Sequence, residues 1–473
     1  MASIYNNYSS DTICAIATAM SDAGIGIIRV SGSDAVDICD KIFVSPKKQH
    51  TLKDHEANTI KYGFVCDGDT IIDEVMISFM KGPYSYTRED VIEINSHGGM
   101  LIMNQIMELL IKNGCRLAEP GEFTKRAFLN GRIDLTKAEA IMDIISAQNN
   151  FALESSRMQL QGKISDCIKD IRKKIIYEMA FIESALDDPE NYDLTGYPEK
   201  LDGIVDNLSE EIRKLVDSAN EGKIRKDGIR TVIVGKPNAG KSSLLNALTG
   251  DERAIVTNIA GTTRDIIEET VRLGDIILHV IDTAGIRDTD DVIEKIGVDK
   301  AKKAVEEAEL VLYILDSTDV FSDEDKEIAS LCKDKKTIVL LNKNDLENDI
   351  KITDDIVRMH FSEPDDKELP IISTSLLKGD GLDDLKAAVS DLFLNGEIAP
   401  KQEIYITNLR HKDLLEKALE SLSLVKDSIS KNISEDFYTI DLTSAYEFLG
   451  EIIGEEIGDD LVEEIFSKFC MGK

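Results

Sequence analysis

The sequence predicts a multidomain chain: an N-terminal α+β region, two helical regions, and an α/β region between them. Three observations carry this. The chain has 473 residues, enough for two to four domains at roughly 100–200 residues each. Its nine prolines leave two long windows, 121–188 and 401–473, without any. Residues 229–395, between those windows, alternate strand and helix patterns.

Residues 1–120 mix both patterns. The runs 26–30 (GIIRV), 70–72 and 91–94 predict short strands, and 33–42 and 101–113 predict helices; such a mixture is an α+β region. In the first proline-free window Ala138, Ile141, Ile144 and Ile145 form an apolar stripe at helical spacing. In the second, Leu414, Leu415, Leu419 and Leu422 do the same. Residues 187–198, DDPENYDLTGYP, predict a loop inside the first helical region. In the α/β region the runs 230–234, 276–281, 310–315, 337–341 and 370–373 predict strands with helices between them, the pattern of a parallel, doubly wound sheet.

Composition narrows the function classes. Lys and Arg number 55 against 89 Asp and Glu, a net charge of −34. Such a surface repels polyphosphate, which counts against broad, non-specific nucleic-acid binding while leaving room for a local basic patch or a basic partner. Seven cysteines without a CxxC pair, and six histidines without HExxH, indicate neither a zinc ribbon nor a disulfide framework. There is no charged start followed by a long apolar run, and no window near 18 consecutive apolar residues. The expectation is a cytoplasmic chain with no signal peptide and no membrane helix.

The α/β region carries the chemistry. Gly235-Lys236-Pro237-Asn238-Ala239-Gly240-Lys241-Ser242 fits GxxxxGKS between strand RTVIV and helix KSSLLNALTG. Backbone N–H groups of such a turn wrap phosphate, and the helix N-terminus adds favourable potential. Lys241 is expected on the β- and γ-phosphates and Ser242 on Mg²⁺. Asn342-Lys343-Asn344-Asp345 follows strand TIVLL. A carboxylate there accepts from both N1–H and N2–H₂ of guanine, a donor pair adenine lacks, so Asp345 is the base reader. Asn342 is expected to tie loops together and Lys343 to lie on the base. Asp282-Thr283-Ala284-Gly285 ends another strand, with Asp282 toward Mg²⁺ and the Gly285 N–H toward the γ-phosphate. Thr263, in Gly261-Thr262-Thr263-Arg264-Asp265, is the second Mg²⁺ ligand expected. Ile286 follows Gly285 where signalling GTPases place a water-orienting Gln. Isoleucine cannot align water, so help must come from elsewhere. The run from Asp288 to Glu294 is dense in carboxylates, which read either as that help or as a solvated loop.

Beyond these motifs the chain resembles, over essentially its full length, the MnmE (TrmE) family of tRNA-modification GTPases. The resemblance rests on DTICAIAT, GIGIIRVSG, YTREDVIEINSHGG, PGEFTKRAFLNGRIDLTKAEAIMDII, GKPNAGKSSLLNAL, NIAGTTRD, DTAGIRDTDDVIEKIG and the terminal FCMGK. It implies four segments: 1–127, a tetrahydrofolate-binding and dimerisation domain; 128–226, the first part of a helical domain; 227–396, a Ras-like P-loop G domain; and 397–473, the rest of the helical domain with its Cys-x-Gly-Lys tail. It implies a reaction too. With an FAD- and NADH-using partner (MnmG, or GidA), a heterotetramer adds a carboxymethylaminomethyl or aminomethyl group to carbon 5 of the wobble uridine of certain tRNAs. A folate supplies the one-carbon unit, and GTP hydrolysis is required.

The resemblance further implies a GTPase activated by G-domain dimerisation and K⁺. Asn238, Thr257, Ile259 and Thr262 match the K⁺ ligands. Glu294 matches the glutamate that orients water, and Lys241 and Asn238 complete the catalytic set. The GTP-binding set is Asn238, Ala239, Gly240, Lys241, Ser242, Ser243; Thr257, Asn258, Ile259, Ala260, Gly261, Thr262, Thr263; Asp282, Thr283, Ala284, Gly285; Asn342, Lys343, Asn344, Asp345; and Ser375 with Leu376. Ser373-Thr374 is the rival register for that last pair. Arg29, Glu93, Arg132 and Lys473 match the folate site. Glu93 suits the amidine-like edge of a pterin and the arginines suit glutamate carboxylates; from residue types alone, Arg29 and Glu93 read equally as an ion pair. Cys470 has a covalent or a structural role in a tail folded toward the folate site. The terminal window, 401–473, holds 8 Lys and Arg against 16 Asp and Glu, so tRNA contact is expected mainly through the partner. The alternative is a GTP-driven assembly factor, for example on ribosomes, which would need no folate site.

Overall fold

The computed structural model describes residues 11–46, 52–54, 56–192, 194–250, 268–274, 276–281, 302–346, 350–361, 369–394, 404–455, 458–469 and 472. The chain divides into two compact units. One is Met1–Ser146 with Ser156–Ser209 and Glu416–Lys473; the other is Ala147–Ser155 with Glu210–Leu415.

The first unit holds a seven-stranded sheet of β1 (Ile13–Ile16), β2 (Gly26–Ser31), β3 (Phe43–Val44), β4 (Thr59–Asp67), β5 (Thr70–Met80), β6 (Val91–Ser96) and β7 (Arg116–Leu117). Their order is β3-β4-β5-β6-β2-β1-β7, antiparallel except for the β1–β7 pair. The strand expected at 70–72 is only the start of β5. Beyond it Asp73, Val75, Ile77 and Phe79 are buried while Glu74 and Met76 face outward. An acidic pair at 73 and 74 hides that period in the sequence. β4 and β5 close on Gly68 at φ +61, with Asp67 opposite Thr70, the left-handed tight turn glycine favours. Helices α1 (Ala35–Ile42) and α2 (Met100–Lys112) share one apolar core with the sheet, Ile38 and Ile42 lying with Val75, Ile77, Met103, Ile106 and Leu110.

Helices α3 (Glu122–Leu129), α4 (Leu135–Ser146), α5 (Asn150–Leu160), α6 (Lys163–Asp187) and α7 (Tyr197–Asp227) fill the first proline-free window and continue past it. The loop expected at 187–198 falls between α6 and α7. The stripe on α4 is buried only at Ala138; Ile145 is 46% exposed. α6 packs on the helix Asp436–Ile453, so the two proline-free windows meet. Arg172 of α6 lies over the Tyr446 ring at 3.8 Å and donates to the Tyr446 carbonyl at 3.1 Å. The helix Asp459–Ser467 reaches α3. There Phe466 and Phe469 join Phe128, Leu135 and Ala138 in one core.

The second unit holds a six-stranded sheet of β8 (Ile229–Val234), β9 (Glu268–Leu273), β10 (Ile276–Ile281), β11 (Leu310–Asp316), β12 (Lys336–Asn342) and β13 (Ile371–Ser373), in the order β13-β12-β11-β8-β10-β9. Five strands are parallel, as expected. The sixth, β9, corrects the expectation of a wholly parallel sheet: it runs antiparallel to β10 at the edge. Residues of the central strands are buried on both faces. Ile233, Leu312 and Leu340 lie in one core, and Val232, Tyr313 and Val339 in the other, which explains their near-continuous apolar runs. No helix among the described residues is long and apolar enough to cross a membrane.

Candidate functional site

β8 runs directly into the glycine loop, which leads to α8 (Lys241–Gly250). Gly235 has φ +151, and a Cβ there would sit 2.3 Å from the Ile314 carbonyl of β11. Gly240 has φ +117, and its Cβ would meet Asn342 Nδ2 at 2.2 Å. Both positions therefore require glycine, for conformation and for space. Asn238 sits between them at φ +62, a region asparagine tolerates better than most residues. Lys241 Nζ donates to the carbonyls of Gly235 (2.6 Å) and Lys236 (2.8 Å). Burial pushes its amine below the usual lysine range. Ser242 and Ser243 are exposed in the first turn of α8, and Ala239 is buried.

Asn342 is the tie between loops. Its Nδ2 donates to the Ala239 carbonyl at 2.9 Å, and its Oδ1 accepts from the Leu376 N–H at 3.2 Å. Lys343, at φ +67, reaches Asp316 Oδ2 at 2.5 Å. Burial raises the Asp316 carboxyl, but the Lys343 ammonium and two bonds from Thr318 outweigh it and hold the group below its usual range. The Asn344 N–H donates to the Thr374 carbonyl at 3.1 Å. Asp345 Oδ1 accepts from Ser375 Oγ at 2.9 Å, with Lys378 Nζ at 3.9 Å from Oδ2. Ser375 and Leu376 thus meet the base-reading motif. Of the rival register, Ser373 ends β13 and Thr374 offers its carbonyl. Thr257, Asn258, Ile259, Ala260, Gly261, Thr262, Thr263, Asp282, Thr283, Ala284, Gly285, Glu294, Cys470 and Lys473 lie outside the described residues.

Sequence reasoning passed over a second lysine of the loop. Lys236 Nζ lies 2.6 Å from Asp325 Oδ2 and 3.3 Å from Asp319 Oδ2. Asp325 is fully buried and also accepts from the Ser322 N–H (2.8 Å) and the Tyr313 hydroxyl (3.0 Å). Burial disfavours the Lys236 charge, yet the two carboxylates outweigh it and raise its pKa. The residues 89 positions apart in this pair share no local pattern that could have announced it.

The first unit brings together three of the residues matched to folate. Arg29 of β2 and Glu93 of β6 are register partners. The Arg29 Nη2 and Nε lie 2.8 and 2.9 Å from Glu93 Oε1, so the ion-pair reading holds as geometry. Arg29 Nη1 also donates to the Gly472 carbonyl at 3.2 Å. Arg132 lies over the Tyr86 ring at 4.8 Å. All three line one cavity of 910 Å³, with Tyr84, Tyr86 and Arg88 among its other walls.

A glycine loop closed onto a helix N-terminus, cross-linked to an Asn-Lys-x-Asp turn on a mostly parallel sheet, defines a P-loop protein of the guanine-reading class. Its particular family follows from comparison. The model of the MnmE helical domain matches residues 135–470, and that of the GTP-binding protein TrmE N-terminus matches residues 12–132. A tRNA modification GTPase MnmE of Lachnoclostridium phytofermentans is 49% identical over 464 residues, covering 98% of this chain and 100% of that protein. A protein of the same name from Clostridioides difficile is 45% identical over 466 residues, with 98% and 100% covered. The chain belongs to the MnmE family of tRNA modification GTPases.

Proposed function

We propose that this chain is the GTP-hydrolysing component of a complex that adds a carboxymethylaminomethyl or aminomethyl group to carbon 5 of the wobble uridine of certain tRNAs. The observation that carries the finer reading is the convergence of Arg29, Glu93 and Arg132 on one cavity. Its 910 Å³ lies within the ~300–1,000 Å³ of ordinary ligand sites. Its chemistry, one carboxylate among arginines, suits a pterin edge and a carboxylate tail. A reduced folate bound there supplies the one-carbon unit. Glu93 keeps Oε2 for the heterocycle while Arg29 holds Oε1. A GTP-driven assembly factor, the alternative, has no use for such a cavity.

In the G domain, proposed at 227–396, Lys241 neutralises the phosphates, Ser242 offers the hard oxygen Mg²⁺ takes, and Asp345 reads guanine. Thr263 is the second Mg²⁺ ligand in this reading. Asn238, Thr257, Ile259 and Thr262 hold K⁺, which offsets charge developing on the transferred phosphoryl group. Glu294 positions water. The folate-binding domain is proposed at 1–127 and the helical domain at 128–226 with 397–473. A homodimer is supported by the outward face of β4 and β5, where Ile60, Tyr62 and Met76 are exposed; such a patch suits a second copy. The flavoprotein partner supplies FAD, NADH and most of the tRNA contact.

Equilibrium binding of 5-formyltetrahydrofolate tests the folate half: Glu93→Gln should weaken it at least about tenfold, and unchanged affinity would remove Glu93 from the site. GTP turnover in K⁺ and Na⁺ tests the other half. K⁺ stimulation should vanish in Asn238→Ala; no cation preference in the wild type would remove the K⁺ site.

A further inference from the structure

The cavity carries more positive charge than its matched residues account for. Four charged side chains line it: Arg29, Arg88, Arg132 and Glu93. Glu93 pairs Arg29 through Oε1. Arg88 and Arg132 form no ion pair with a carboxylate among the described residues. Each is instead fixed by a backbone carbonyl. Arg88 Nη1 donates to Asn130 O at 2.7 Å, and Arg132 Nη1 donates to Tyr86 O at 3.2 Å. The two bonds are reciprocal. Each arginine reaches to within two residues of the other, and Asn130 Nδ2 adds a bond to Thr87 O at 2.6 Å. The loops are therefore latched together, and each planar guanidinium keeps further N–H donors for another acceptor.

Two arginines line one cavity with no carboxylate partner among the described residues, and like charges in one site repel, here in a chain of net charge −34. Arg88 also stands at φ +63, a conformation non-glycine residues seldom hold. Both are exposed. A ligand with carboxylates spaced along a flexible tail would relieve the repulsion and match guanidinium geometry bidentately.

We infer that Arg88, together with Arg132, forms a tail subsite at the cavity mouth that takes carboxylates beyond the first glutamate, so that the preferred ligand is an oligo-γ-glutamyl reduced folate. This rests on the folate reading of the Arg29–Glu93 end. It adds a residue to that site and names the form of the ligand.

The test uses the full-length chain and two probes, the mono- and tri-γ-glutamyl forms of 5-formyltetrahydrofolate, at one ionic strength. The wild type should bind the triglutamyl form about tenfold tighter, the worth of roughly one charge-assisted bond. Arg88→Gly relieves the left-handed backbone, so it should fold; the ratio of its affinities for the two probes should fall toward one. An advantage unchanged in Arg88→Gly overturns the inference, as does equal binding of both probes by the wild type, which leaves the folate reading standing. Binding of neither probe overturns both. If Arg88→Gly weakens tRNA binding while the ratio of the two probes stays as in the wild type, Arg88 reads phosphate and the inference falls.

Discussion

Arg29 and Gly472 stand 443 positions apart in the chain and share a hydrogen bond of 3.2 Å, guanidinium to carbonyl. Gly472 is buried at φ +83, and a Cβ there would lie 2.3 Å from the Ile16 carbonyl. Gly472 is thus seated against the end of β1, in contact with the arginine that pairs Glu93. Gly472→Ala meets both a left-handed backbone and a carbonyl, so the seat should open. We expect reduced-folate affinity to fall about tenfold, the loss of roughly one charged hydrogen bond, with GTP turnover unchanged. Calorimetric titration beside a phosphate-release assay checks this.

Asp345 accepts from Ser375 at 2.9 Å, and in the proposed function it reads the base. Asp345→Asn exchanges an acceptor for a donor. GTP affinity should drop about 10–100-fold, and xanthosine triphosphate should bind better than GTP. Competition binding with both nucleotides reads the switch; a variant that still prefers GTP would mean that Asp345 does not read the base.

Lys236 is the cation paired with the buried carboxyl of Asp325. Lys236→Met leaves a buried carboxylate with only its Ser322 and Tyr313 donors. The cost should be about 3 kcal/mol, the scale for a buried pair broken on one side, read as a lowered unfolding midpoint. Lys236→Met with Asp325→Leu should recover much of it. A single variant as stable as wild type would contradict the pairing.

His97 Nδ1 lies 2.7 Å from Asp73 Oδ1, and the His97 N–H donates to Oδ2 at 2.8 Å. The hydrogen bond to Asp73, then its charge, raises the His97 pKa above 6.5. A raised folded value means the pair's contribution is full below the unfolded value and is lost as pH rises through the folded one. The melting-temperature gap between wild type and Asp73→Asn should therefore narrow as pH climbs from about 6 past the raised value. A gap constant across that range would show that the charged pair contributes nothing.

What could be read in advance was local. The glycine loop and the Asn-Lys-x-Asp turn each lie within eight residues, their chemistry fixed by spacing. The central strands β8, β11 and β12 are buried on both faces along most of their length and so carry near-continuous apolar runs. β9 was missed because it is an edge strand carrying Glu268, Glu269 and Arg272. Most of β5 was missed because its first inward position is a carboxylate, Asp73, which holds His97 where an apolar residue would mark the alternation. Arg88 lay in plain view in YTRED, yet its place on the cavity wall depends on Asn130, 42 positions away. The Lys236–Asp325 and Arg29–Gly472 pairs are tertiary throughout. The meeting of the two helical windows was implied by resemblance, since helical periodicity does not say which helix covers which.

The most direct test of the account is the wobble uridine itself. Cells lacking this gene would be complemented with the wild type, Lys241→Ala or Glu93→Gln, and the tRNA nucleosides quantified by mass spectrometry. The account predicts that the wild type restores the 5-carboxymethylaminomethyl or 5-aminomethyl uridine and that neither variant does, although purified Glu93→Gln still hydrolyses GTP. Full modification in cells carrying Glu93→Gln would contradict the claim that the Arg29–Glu93 cavity holds the one-carbon donor.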